Sequence, residues 1–165
     1  MTREFSSLGA MAMGFAEMAV AEVVALDAGL GRVLAKIEKT AKDEIGHYQE
    51  AVGQFGAWPE LADSTKEDRV HKGFTENDPL YRSGELQASI GKEQHGLEGA
   101  VGSTSPVMVY MEFGTSKAPA RAVIGPAAVR NEHEIKRLVG AAAVAGLVGG
   151  ESIHAALGYE FSTEG

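Results

Sequence analysis

The segment from residue 107 to residue 126 constrains the fold of this chain more than any other part of it. It is apolar at both ends and has a short polar turn in its middle, after Gly114. Glycine permits backbone conformations that a side chain hinders, and Pro119 fixes the backbone on the far side of the turn. Glu112 and Arg121 flank the turn with opposite charges. Because no nucleophile lies beside a base here, the pattern predicts a structural or interaction role.

Charge and composition exclude several classes of protein. The chain has 165 residues, which favours one domain with a sizeable core. Its net charge of −8 argues against a generic nucleic-acid binder, which needs a basic face. The absence of cysteine excludes a disulfide scaffold and thiolate metal sites. The N-terminus lacks the pattern of a cleaved leader, so synthesis in the cytoplasm is expected.

The first third of the chain, residues 6–52, is predicted to be helical. Apolar residues recur at three- and four-residue steps from Leu8 to Leu26, and acidic residues interrupt the run, which argues against a membrane span. A helix that faces the core or a partner is favoured. The glycine-containing segment 27–31 predicts a kink or a break between two helices, the second from residue 32 to Val52.

Residues 53–82 are predicted to form a loop. It contains the only tryptophan, Trp58, which the following proline holds extended and which is expected to anchor the loop by burial. The pattern Ser64-Thr-Lys-Glu67 matches a capping box and predicts a short helix from residue 65 to about residue 72.

Residues 83–125 are predicted to be rich in β structure. Short β-like runs at 87–95 and 97–103 surround a His-Gly pair, which indicates an antiparallel hairpin. The segment 106–113 fits a strand and a helix equally well by periodicity. Pro126 suits the first position of a helix that extends to residue 148, and residues 149–165 are predicted to be a flexible tail.

Histidine placement gives no support to catalysis or to metal binding. None of the five histidines forms a metal pair with another at helical spacing, and the chain has no nucleophile elbow and no glycine-rich phosphate loop. No cofactor, no metal and no enzymatic activity are therefore expected. A small hydrolase that uses His95 or His133 with a nearby acid stays as an alternative of a different class.

Three segments carry a resemblance to a known family. Tyr110-Met-Glu-Phe-Gly-Thr-Ser, followed by 118–127, resembles the aromatic-x-Glu-Phe-Gly-Thr run and Pro-x-Arg-Pro-Phe segment of the neck and tail-completion proteins of long-tailed bacteriophages, with Ala-Val at 122–123 in place of Pro-Phe. Segment 80–90 is similar to the family's Thr-Gly-x-Leu-x-x-Ser-Ile, with Ser83 in place of Thr. Segment 58–65 looks like its Trp-x-x-Leu…Thr element. Together the three elements cover roughly residues 45–130 in the family's order.

The resemblance implies structural or interface roles for the residues that match these motifs. Across the turn, Tyr110, Phe113 and Arg121 are expected to pack or pair. The full set is Trp58, Ser83, Gly84, Leu86, Tyr110, Glu112, Phe113, Gly114, Thr115, Pro119 and Arg121.

The resemblance also implies a fold and a biological role. The fold would be α+β, with a small antiparallel sheet packed against long N-terminal helices and a C-terminal helix, like that of tail-completion proteins. Copies would form a ring in the virion neck, a hexamer by analogy. The ring would contact neighbouring neck and tail proteins (the head-closure protein or connector, the tail terminator or the tail tube), and DNA would pass through without sequence-specific binding.

Other roles stay open beside that one. A tail terminator and a head-closure protein of the same connector fit the motifs as well. A host-interaction module that binds a partner through Leu8–Leu26 is a further alternative. No membrane partner is expected.

Overall fold

The computed structural model describes residues 6–148 and has the α+β class that the sequence predicts. A long N-terminal helix precedes a small antiparallel sheet of two strands, which shorter helices flank. The elements in chain order are α1 (Leu8–Glu44), α2 (Asp63–His71), α3 (Glu85–Ala88), β1 (Ile90–His95), β2 (Glu98–Ser103), α4 (Pro106–Phe113), α5 (Ile124–Arg130) and α6 (Glu132–Val148).

The chain divides into two compact units. The first comprises Met1–Val33 and Ile135–Gly165, whose described part holds the N-terminal portion of α1 and most of α6. The second, Leu34–Glu134, holds the C-terminal end of α1, both strands and the helices α2 to α5. The three motif segments all belong to the second unit.

Helix α1 is one continuous helix of 37 residues, so the break predicted at 27–31 is wrong. Glycine inside a helix costs only about 1 kcal/mol relative to alanine, which long apolar flanks can offset. The predicted end at Val52 is also wrong, because the helix ends at Glu44. Two residues later Gly46 adopts a φ of +99°, and its N–H donates to the Pro79 carbonyl at 2.9 Å. This left-handed glycine turns the chain out of the helix.

Helix α2 begins earlier than predicted and without the capping box. Ala62 occupies the N-cap position and makes no side-chain capping hydrogen bond. Ser64 therefore lies inside the first turn, next to Asp63. An acidic residue in that turn interacts favourably with the helix dipole, which offers a second way to begin the helix.

The predicted hairpin is confirmed. Strands β1 and β2 pair antiparallel from Ile90–Ser103 to His95–Glu98, so the turn has two residues. Gly96, the first of them, has a φ of +58°, the φ pattern of a type II′ turn. The rest of the region expected to be rich in β structure differs, because α3 and α4 flank the hairpin.

The ambiguous segment 106–113 is the helix α4. Ser105 caps it by accepting a hydrogen bond from the Val107 N–H at 3.3 Å, and Pro106 occupies the first turn, where its missing N–H costs nothing. These start signals, Ser105 before the segment and Pro106 at its first position, are separate from the apolar periodicity of the segment, which by itself fits both helix and strand.

The helix predicted for 126–148 is two helices, with Asn131 between them. The buried Asn131 amide donates at 2.8 Å both to the Ala127 carbonyl and to the Thr40 hydroxyl. A side chain that binds a nearby backbone carbonyl competes with helix continuation. Pro126 is the third residue of α5 rather than the first.

The core of the second unit collects apolar residues from most of its elements. The C-terminal end of α1, the 53–62 loop, β1, α4 and α5 all contribute to it. Its buried members are Ala41, Ile45, Trp58, Ile90, Met108, Val123 and Ala127.

Helix α1 is long and apolar enough to cross a membrane by length and composition alone. In the most apolar stretch of 18 residues within this helix, 6% is buried inside the structure. The predicted flexible tail, residues 149–165, lies outside the described residues.

Candidate interface around the Gly114 turn

The turn after α4 depends on a backbone conformation that glycine alone adopts readily. Gly114 has φ +73° and ψ −179°, a region from which side chains are almost excluded. A methyl group on its Cα would lie 2.8 Å from the Ala120 nitrogen and 3.1 Å from the Ala118 oxygen. Thr115 closes the turn, since its N–H donates to the Ala118 carbonyl at 2.8 Å and its hydroxyl accepts from the Ala118 N–H at 3.0 Å. Pro119 follows, exposed to solvent.

Glu112 holds the two ends of the segment together. One carboxylate oxygen accepts hydrogen bonds from the N–H groups of Val123 at 2.9 Å and Ile124 at 2.7 Å. These groups lie at the N-terminus of α5, where helix N–H groups have no partner within the helix. A negative charge there also interacts favourably with the helix dipole. Glu112 thus joins the end of α4 to the start of α5.

Arg121 binds the loop around Trp58, residues 53–62 (the tryptophan loop), and does not pair with Glu112. Its side chain is 7% exposed, and it donates to the Pro59 carbonyl at 2.8 and 3.1 Å and to the Glu60 carbonyl at 3.0 Å. Burial lowers the pKa of the guanidinium below its usual value, yet an arginine stays charged in proteins. The expected pairing of Arg121 across the turn therefore differs from its observed partners.

Trp58 is the buried anchor that the sequence predicted. It is 6% exposed, and its indole N–H donates to the Ala122 carbonyl at 2.9 Å. This bond and those of Arg121 connect residues more than 60 positions apart. Hydrogen bonds donated by Trp58 in the loop and by Arg121 in the segment 107–126 therefore hold the loop and the segment together.

The opposite side of α4 exposes apolar and aromatic side chains to solvent. Val109, Tyr110 and Phe113 are all exposed, Phe113 to 83%. The expectation that Tyr110 and Phe113 pack across the turn is wrong, because both side chains face solvent, while Met108 and Glu112 on the inner side make the internal contacts. Solvent-facing aromatic side chains beside a fixed turn form a candidate binding surface, since aromatic residues are enriched at interface hot spots.

The upstream motif residues reach the same core. Leu86 in α3 packs against the core cluster that contains Trp58. Gly84 precedes α3 in a left-handed conformation with a φ of +83°, which again favours glycine. Ser83 is exposed and lies outside that cluster. The three motif segments thus meet in one core, and their exposed members lie around it.

One buried charged group, the Glu44 carboxyl, was not predicted from the sequence. Glu44, the last residue of α1, is 4% exposed, and one of its oxygens accepts from the Arg130 Nε at 3.0 Å. Its other oxygen is buried and accepts no hydrogen bond within the described residues. Burial raises the pKa of this carboxyl to about 7, against the opposing effect of Arg130, and the charge of Glu112 raises it further. Sequence gives no signal for this burial, because Glu44 stands among other charged residues at a helix end.

The histidines that the structure describes do not assemble into a site. His47, His71, His95 and His133 are exposed and lie on different elements, and His154 lies outside the described residues. Between residues 6 and 148, no group of three His, Asp or Glu side chains could hold a metal ion. A groove of about 280 Å³ runs beside the hairpin and is lined by residues 91–93, 100 and 102–104.

Comparisons with protein-family models, with curated proteins and with solved structures found no match to this chain.

Proposed function

We propose that this chain is a structural virion protein of a bacteriophage neck, which forms an oligomeric ring that completes the tail and joins it to the head. The observation that carries the proposal is the two-sided character of the segment 107–126. Its inner side binds the tryptophan loop and α5, while its outer side presents exposed aromatic and aliphatic side chains. A fixed turn beside an exposed apolar helix is what a subunit needs when it meets another protein at a defined angle.

The charge of the chain supports the same role. A net charge of −8 is suited to a channel through which DNA slides, because there is no excess of cationic side chains to release counterions from its phosphates. The resemblance to neck and tail-completion proteins supplies the biological setting, and the ring is a hexamer by that analogy.

A first test uses the purified protein. Gly114→Val is expected to lower ring assembly, seen by native mass spectrometry, more than it lowers the helix content seen by circular dichroism. The β-branched side chain would disturb the turn that orients α4 while the other helices stay formed. Normal particle yield with this variant in the phage would count against the proposal.

A second test places the protein in the particle. Deleting its gene is expected to leave filled heads and separate tails in electron micrographs. Joined virions without this protein would contradict a neck role. Labelled protein located at the tail top or at the head side separates tail completion and tail termination from head closure.

A partner-binding module of the host is the second candidate function. Phe15 in α1 is exposed, and Met11 and Met18 are half-buried, so part of the predicted apolar stripe is open to a partner. Retention of a bacterial protein on the wild-type chain but not on a Phe15→Asp chain, together with normal virions from the deletion, would favour this role over the neck.

A further inference from the structure

The N-terminal part of α1 carries an exposed apolar face of its own. Met13, Val20 and Val24 are exposed, and with Glu17 they are spaced four, three and four residues apart, which places them on one side of the helix. A shallow groove of about 300 Å³ beside this face is lined, among the described residues, by Ala19, Val20, Val23 and Val24. We call the surface of Met13, Glu17, Val20 and Val24 the α1 face.

The second exposed apolar surface lies on the other compact unit. Val109, Tyr110 and Phe113 are exposed on one side of α4, and the exposed Lys117 follows in the adjoining turn. We call the surface of these four residues the α4 face. A contiguous exposed apolar surface of this kind marks a site of interaction with another molecule.

Charge decides which surfaces fit each other. The charged residues of α1 between Leu8 and Gly31 are all acidic, whereas the charge that the α4 face presents is the basic Lys117. Two α1 faces in contact would bring Glu17 against its copy, and two α4 faces would do the same with Lys117. Contact between unlike faces instead places Glu17 near Lys117 and covers both apolar surfaces.

The acidic character of α1 also argues against a lipid surface as its partner. Helices that bind membrane surfaces carry Lys and Arg on their polar side, and the segment from Leu8 to Gly31 has neither. A second copy of this chain offers both the apolar area and the opposite charge.

We infer that the α4 face of one copy binds the α1 face of the next copy, head to tail. Because the two surfaces differ, a pair of bound copies leaves one face of each kind unused, and the contact repeats until the last copy binds the first and closes a ring. This inference rests on the proposed function for the ring, and it names the residues that build the ring.

Complementary variants test the contact. Phe113→Asp disables the α4 face and Val20→Asp disables the α1 face, and both side chains are exposed, so each variant is expected to keep the circular dichroism spectrum of the wild type. Each variant alone is expected to be monomeric by analytical ultracentrifugation, with a dissociation constant raised about tenfold or more by the buried charge. An equimolar mixture is expected to form a dimer and nothing larger, because it contains one intact pair of faces.

Val70→Asp is the matched control. Val70 is an exposed valine on α2, outside both faces, and its substitution is expected to leave the oligomer unchanged. A charge exchange gives a second measurement: Glu17→Lys and Lys117→Glu each weaken assembly, and the double variant restores it.

Other results would overturn the inference. They are wild-type mass retained by either Asp variant alone, a mixture that stays monomeric, a wild-type chain that is monomeric at all concentrations, or binding of the wild type to liposomes that Val20→Asp abolishes. A different result would contradict the neck role. If head-to-tail rings form as described but heads and tails join without them, the inferred contact stands and the proposed function does not.

Discussion

Substitution of Gly114 by alanine tests the central turn most directly. At φ +73° and ψ −179°, a residue with a Cβ pays conformational strain of about 1–3 kcal/mol. The added methyl group would also meet the Ala120 nitrogen at 2.8 Å, and relief of that contact has to move backbone atoms. Together the two effects are expected to lower the free energy of unfolding by about 2–4 kcal/mol.

The assay is urea unfolding followed by tryptophan fluorescence. Trp58 is the only tryptophan and lies in the same unit as Gly114, so its emission reports the unfolding of that unit. The midpoint is expected to fall while the slope with urea concentration stays the same, because the surface exposed on unfolding does not change.

Gly102→Ala is the control. Gly102 lies in β2, its φ is not positive, and a methyl group there would meet no atom within 4 Å. That substitution is expected to change the free energy of unfolding by no more than about 0.5 kcal/mol. Equal midpoints for the two variants would refute the claim that the turn depends on the glycine conformation.

Two further predictions concern buried polar groups. The pKa of Glu44 in the folded chain, about 7, exceeds the usual value of 4.5, so its contribution to stability is fully present below pH 4.5 and is lost as the pH rises through 7, an effect on the order of 3 kcal/mol. In urea titrations between pH 4.5 and 8, Glu44→Gln should lack this decline, and an unchanged decline would disprove the assignment. Trp58→Phe removes the donor to the buried Ala122 carbonyl and leaves a small cavity. The free energy of unfolding, measured by circular dichroism melting, is expected to fall by about 2–3 kcal/mol. A fall of less than about 0.5 kcal/mol would show that the bond is unimportant.

Features with local signals were predictable from the sequence. The hairpin follows from a glycine at the turn between two short β-like runs, and the structure places Gly96 there with a positive φ. The burial of Trp58 follows from its size and from the proline beside it. These predictions depend on neighbouring residues alone.

Features that depend on distant partners were not predictable. The end of α1 at Glu44 is fixed by Gly46 together with the Pro79 carbonyl, 33 positions along the chain. Arg121 binds main-chain carbonyls, which have no signature in the side-chain sequence. Helix α1 continues through its glycines, contrary to the predicted break, because the long apolar flanks on both sides offset the cost of single glycines.

The bonds between Trp58 and the segment 107–126 also bear on how the chain folds. They close a loop of more than 60 residues, so they form only after a large entropic cost has been overcome. An eight-residue helix such as α4 is not stable in isolation and needs that closure to persist. Newly made or misfolded chains would therefore not display a formed α4 face, and in the proposed head-to-tail ring they would not bind the α1 face of another copy.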